Sequence, residues 1–110
     1  MASRISHTSF DAINSYSQSL FWSEVLGYVQ DPEDPNLAED EECAIMAPDR
    51  SQVLLFIQVP DQKQVKNRVH LDLRPVDRAR EEEVERLIAL GATLYLSLIH
   101  ISEPTRQAEI

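Results

Sequence analysis

The chain has 110 residues, 43% of them hydrophobic, and a formal net charge of −9 at pH 7. That length and composition suit one domain with a modest core and exclude disorder throughout. The acidic balance excludes a nucleic-acid partner and disfavours anionic membranes, since phosphate binding rests on Lys and Arg.

Met1-Ala2-Ser3-Arg4 lacks the apolar run of a signal peptide, and no apolar stretch approaches the ~18 residues of a membrane span. Cys43 is the single cysteine, so an internal disulfide and a thiolate metal cluster are both excluded. A reducing, cytoplasmic setting follows as the expectation.

Arg4 to Asp11 alternates, with Ile5, His7, Ser9 and Asp11 on one face and Ser6, Thr8 and Phe10 on the other, which predicts a strand. Ser15 followed by Gln18 reads as a capping box that opens a helix running to Leu26. Leu20, Phe21, Trp22, Val25 and Leu26 form its apolar face, and core packing is the first role expected of Trp22. Asp31 to Glu42 holds seven acids, two prolines and no base, the composition of a solvated loop. It lacks the glycine that lets an EF-hand wind round calcium. Cys43 to Ala47 is a short apolar strand, and Pro48 to Ser51 turns into a second, Val53 to Val59. There Leu54, Phe56 and Gln58 share one face, while Val53, Leu55, Ile57 and Val59 share the other. This pattern predicts a sheet with a helix behind it and a cavity in front.

Arg68 to Leu73 shows the cleanest alternation, with Val69, Leu71 and Leu73 opposite Arg68, His70 and Asp72. A second helix is predicted from near Asp77, with Glu82 and Arg86 as an i,i+4 pair and Val84, Leu87 and Ile88 buried. Its Glu81-Glu82-Glu83 run reads as a solvated face, and Thr93 to Tyr95 opens another strand. The chain's two glycines, Gly27 and Gly91, fall where each helix must end in a residue free to adopt positive φ. Ile5 to Gly27 and Arg68 to Gly91 therefore look like two copies of one unit. Each passes from an extended segment bearing a His, His7 or His70, into a helix closed by Gly.

These residues resemble the vicinal oxygen chelate superfamily, in its glyoxalase-like branch. The resemblance is carried by Phe21-Trp22-Ser23-Glu24-Val25-Leu26-Gly27-Tyr28, Leu54-Leu55-Phe56-Ile57-Gln58-Val59-Pro60, Asn67-Arg68-Val69-His70-Leu71-Asp72-Leu73 and Ala89-Leu90-Gly91-Ala92-Thr93. It implies an α+β fold of paired βαβββ modules, the glyoxalase, bleomycin resistance and dihydroxybiphenyl dioxygenase fold. Module one would span residues 4–60 and an incomplete module two residues 67–95, together a domain over 1–95. From Leu96 the likeness stops. Leu96 to Arg106 resembles one reading frame of the transposase adapter used in short-read DNA library preparation, and 96–110 is read as a non-native tail. His100 then has no functional role, and an unpaired sheet edge is left behind.

The resemblance further implies a divalent ion, Zn, Ni, Fe or Mn, held by one residue on the first and one on the last strand of each module. His7 matches the first position and His70 the third. The second should be a carboxylate on Val53 to Val59, where Phe56 and Gln58 are the inward candidates and neither is charged. The fourth lies past Tyr95. Two imidazoles make an incomplete site, since even catalytic zinc generally takes three protein ligands, so the fragment itself is expected to hold no metal. Asp72 could orient His70. Without a metal, Trp22, Phe56, Gln58, His70, Asp72 and Arg74 could bind a flat or amphipathic molecule. Core packing competes for Trp22, and an ordinary surface charge competes for Arg74.

Three functions stay open. The first is an enzyme of lyase, isomerase or dioxygenase type acting on a small oxygenated metabolite, its substrate unknown. The second is a non-catalytic module that binds or sequesters a small molecule, as bleomycin-resistance proteins do. The third is an interaction domain. A homodimer is the expected assembly at full length.

Overall fold

The computed structural model describes residues 2–60, 69–94 and 101–102, and the chain divides into two compact units, Met1–Asp61 and Gln62–Ile110. In the first, β1 (Thr8–Ala12) leads into α1 (Ser15–Leu26), and β2 (Glu42–Met46) and β3 (Val53–Gln58) follow. The sheet order is β1-β3-β2, with β1 parallel and β2 antiparallel to β3. Val29 makes one antiparallel bridge to Met46 at the outer edge of β2. The unit thus runs strand, helix, bridge, strand, strand, an α+β arrangement.

β1 starts later than the Arg4 expected from alternation, and the register explains why. Thr8 pairs with Leu54, so residues before His7 would have to pair with the turn that precedes β3. In that turn Arg50 takes a left-handed φ of 64°, which no strand can copy.

The start of α1 also differs from the capping box centred on Ser15. Asn14 is the cap, its Oδ1 accepting from Ser17 N at 2.9 Å, and Ser15 is the first helical residue. This frees the Ser15 hydroxyl to donate to the Asp40 carbonyl at 2.8 Å, which ties the end of the acidic loop to the helix. Gly27 ends the helix at φ 70°, with its N–H donating to Ser23 O at 2.8 Å. A Cβ there would meet no atom within 4 Å, so the backbone angle alone asks for glycine.

Leu20 is exposed, and the buried positions of α1 are Ser15, Gln18, Ser19, Phe21, Trp22 and Val25. The stripe is helical in period but polar in its first half, and hydrogen bonds make that tolerable. Ser19 Oγ donates to Tyr16 O at 2.6 Å, and Trp22 Nε1 donates to Gln18 Oε1 at 3.1 Å. Phe21 meets Trp22 edge to face at 5.3 Å.

The loop after α1 is acidic, as expected, and internally braced. Asp31 Oδ1 accepts from Glu33 N and Asp40 Oδ2 from Leu37 N, each at 2.9 Å. Asn36 stands in for a missing strand, its Nδ2 donating to Ala44 O at 2.8 Å and its Oδ1 accepting from Ala44 N at 3.2 Å. One amide side chain thereby covers part of the edge of β2 that Val29 leaves open.

In the second unit, α2 (Arg80–Leu90) ends at Gly91, φ 118°, and β4 (Thr93–Leu94) pairs antiparallel with β5 (Ile101–Ser102). The helix begins three residues after Asp77, with Ala79 as a cap that makes no side-chain bond. Arg86 pairs with Glu83 rather than with Glu82, through two bonds of 2.8 Å. That fork draws Glu83 out of the solvated run, and the Arg86 bonds hold its carboxyl below the ordinary range. Leu87 is buried, Val84 half-buried and Ile88 exposed.

Val69 to Leu73 forms no strand, against the clearest alternation in the chain, and Arg68 lies outside the described residues. A strand needs a partner ladder. In the first unit β1 is held by that unit's last strand, β3. In the second, the described strands after α2 are two residues each and pair with one another. Among the described residues no helix is long and apolar enough to cross a membrane.

Candidate functional site

Which side of the first sheet is covered follows from one contact. Cys43 Sγ lies 3.7 Å from Ser15 Oγ on α1, so the side of β2 that carries Cys43 faces the helix. Cys43 pairs with Phe56, and Phe56 with Phe10. Because side chains alternate and paired residues share a face, Phe10, Ala12, Cys43, Ile45, Leu54 and Phe56 all lie on the helix side. Their exposures agree. Cys43, Ile45 and Phe56 are 0% exposed and Ala12 2%, and the rings of Phe10 and Phe56 stack at 5.8 Å. Burial pushes the Cys43 thiol up, and the nearby Ser15 hydroxyl opposes this only in part, so this sulfur is a packing atom rather than a nucleophile.

The inward assignment of Phe56 and Gln58 is therefore corrected. Phe56 is core beneath α1, and Gln58 is exposed at the end of β3, opposite Ala12. The face away from the helix is formed by Ser9 and Asp11 of β1, Glu42, Ala44 and Met46 of β2, and Val53, Leu55 and Ile57 of β3. Val53, Leu55, Ile57 and Ala44 are half-buried, Met46 is buried, and Ser9, Asp11 and Glu42 are exposed. Asp11 and Glu42 both pair with Ile57. They stand on either side of it in one row, their Cα atoms about 10 Å apart at two strand spacings. The sequence already placed Ser9 and Asp11 together on one face of β1 and Val53, Leu55 and Ile57 on one face of β3. It assigned no face to Ala44 or Met46 and read Glu42 as the end of the acidic loop, whereas β2 begins at Glu42.

His7 immediately precedes β1 and is exposed, its Nδ1 3.1 Å from Ser6 Oγ. Trp22 is 3% exposed and bonded to Gln18, so it packs the first unit's core. His70, Asp72 and Arg74 are all exposed in an irregular stretch of the second unit. His7, Trp22, Phe56 and Gln58 thus do not gather on one surface of the first unit.

The donor set of the first unit does not fit a divalent ion. Every position of β3 that faces away from the helix is Val, Leu or Ile, so on that face β3 offers no nitrogen, oxygen or sulfur side-chain ligand to accompany His7. Among the described residues no group of three or more His, Cys, Asp or Glu is placed to hold a metal. The chemistry this face can perform is apolar contact at the centre with carboxylates at the rim.

A family model described as a glyoxalase-like domain matches residues 7–97. No curated protein and no solved structure matches the chain.

Proposed function

From the premise that this chain belongs to the glyoxalase-like domain family, its match running over residues 7–97, we propose that it binds a small molecule without a metal. The ligand lies on the face of the first unit's sheet that points away from α1. The observation that carries this reading is the row Val53, Leu55 and Ile57. An apolar floor of half-buried branched side chains gains free energy by further covering, at roughly 25 cal/mol per Å², and itself offers a Lewis acid nothing to bind. Metal-assisted lyase, isomerase or dioxygenase chemistry would need a ligand from this strand. Non-catalytic binding needs only its shape and apolar surface.

Naphthylmethanol, a flat neutral probe, tests the reading by titration into the full chain in the presence of EDTA and again with Zn²⁺ or Ni²⁺ added. Equal affinity in all three conditions is the expected result. Binding that requires added metal, or tight stoichiometric metal uptake lost in His7→Ala, would return the protein to the enzyme reading.

A further inference from the structure

The charge of the chain is divided unevenly between its units. Residues 1–61 carry eleven Asp and Glu against Arg4 and Arg50 alone, whereas residues 62–110 carry eight acids and eight bases. The whole formal charge of −9 therefore belongs to the unit that presents the apolar floor. β1, β2 and β3 contain no Lys or Arg at all.

Two of those acids bracket the floor. Asp11 and Glu42 share the row of Ile57, both are exposed, and neither enters an ion pair among the described residues. A molecule lying on Leu55 and Ile57 has a carboxylate on each side. A ligand with an anionic group would meet repulsion from both, whereas an ammonium or guanidinium above Ile57 would be attracted by both at once. The surrounding field of the first unit works in the same direction, raising the local concentration of cations before contact.

Resting on the binding reading above, we propose that the ligand is an organic cation, a flat or branched apolar body bearing an amine or guanidine, seated on Leu55 and Ile57 between Asp11 and Glu42. The apolar body supplies burial, and the two carboxylates select the sign of the charge. Neither carboxylate alone would make a site.

Three probes of one shape and different charge separate the terms: naphthylmethylammonium, naphthylmethanol and naphthoate, each titrated into the full chain. The expected order of affinity is cation, then neutral, then anion. Asp11→Asn and Glu42→Gln should each weaken the cation roughly three- to fivefold, the scale of an exposed charge pair, and leave the neutral probe unchanged. Raising the salt concentration on the unmutated chain should close the gap between cation and neutral probe. Ile57→Ala should weaken all three probes. Equal binding of the three, with Ile57→Ala still weakening them, overturns the cation inference and leaves the binding face standing. Failure of every probe to bind, or indifference of all of them to Ile57→Ala, overturns the binding face and the inference together.

Discussion

Phe56→Ala is expected to destabilise the first unit by about 3–5 kcal/mol, the cost of removing a fully buried aromatic ring and leaving a cavity behind. Phe56 is 0% exposed, stacks on Phe10 and pairs with Cys43 across the sheet, so three strands lose packing at one point. Against the 5–15 kcal/mol that holds a typical domain together, this is enough to populate the unfolded state in mild denaturant. Trp22 is the chain's one tryptophan and lies 3% exposed in the same unit, so its fluorescence in a urea titration reports that unfolding. The midpoint should fall with the slope unchanged. A loss below ~1 kcal/mol, as expected for an exposed substitution, would instead put Phe56 on the open face.

Ile57→Lys, one residue along the same strand, should have the opposite profile. Ile57 is half-buried on the face away from α1, so a lysine there can lay its stem along the floor and raise its ammonium between Asp11 and Glu42. Stability should change by no more than about 1 kcal/mol, because the substitution opens no cavity and buries no charge. Binding of naphthylmethylammonium should fall by more than tenfold, since the tethered ammonium occupies the place of the ligand's own and repels it. Calorimetric titration and a urea curve on the same preparation measure both quantities. Undiminished binding, or unfolding on the scale of Phe56→Ala, contradicts the assignment of faces.

The contrast between these neighbours marks where sequence patterning is informative and where it is silent. Alternation along Val53 to Gln58 is plain, but both of its faces are apolar, Leu54 and Phe56 on one and Val53, Leu55 and Ile57 on the other. Parity alone cannot say which one a helix covers. The flanking strands decide it, because Asp11 and Glu42 can stand only on the wetter side. The two glycine caps were legible for the opposite reason. A left-handed residue after a helix is a local requirement, met by Gly27 and Gly91 whatever surrounds them.

Tertiary context set the remainder. The buried stripe of α1 includes Ser15, Gln18 and Ser19, which a hydrophobic pattern assigns to solvent. Their hydrogen bonds to Asp40, Trp22 and Tyr16 are invisible from spacing alone. Val69 to Leu73 shows the converse. Its side chains alternate as a strand's should, but no ladder forms on them, because β-propensity expresses itself only against neighbouring strands. Asn36 illustrates a third case, an amide that mimics a peptide group and takes the hydrogen bonds of a strand.

Methyl chemical shifts, recorded on the full chain during titration with naphthylmethylammonium, address the location of the ligand most directly. The account predicts that Val53, Leu55, Ile57 and Ala44 move together and saturate with one affinity, while Leu54 and Ile45, on the covered side of the same strands, stay still. Movement centred on Leu54 and Ile45, or shifts confined to residues outside the first unit's sheet, would contradict it.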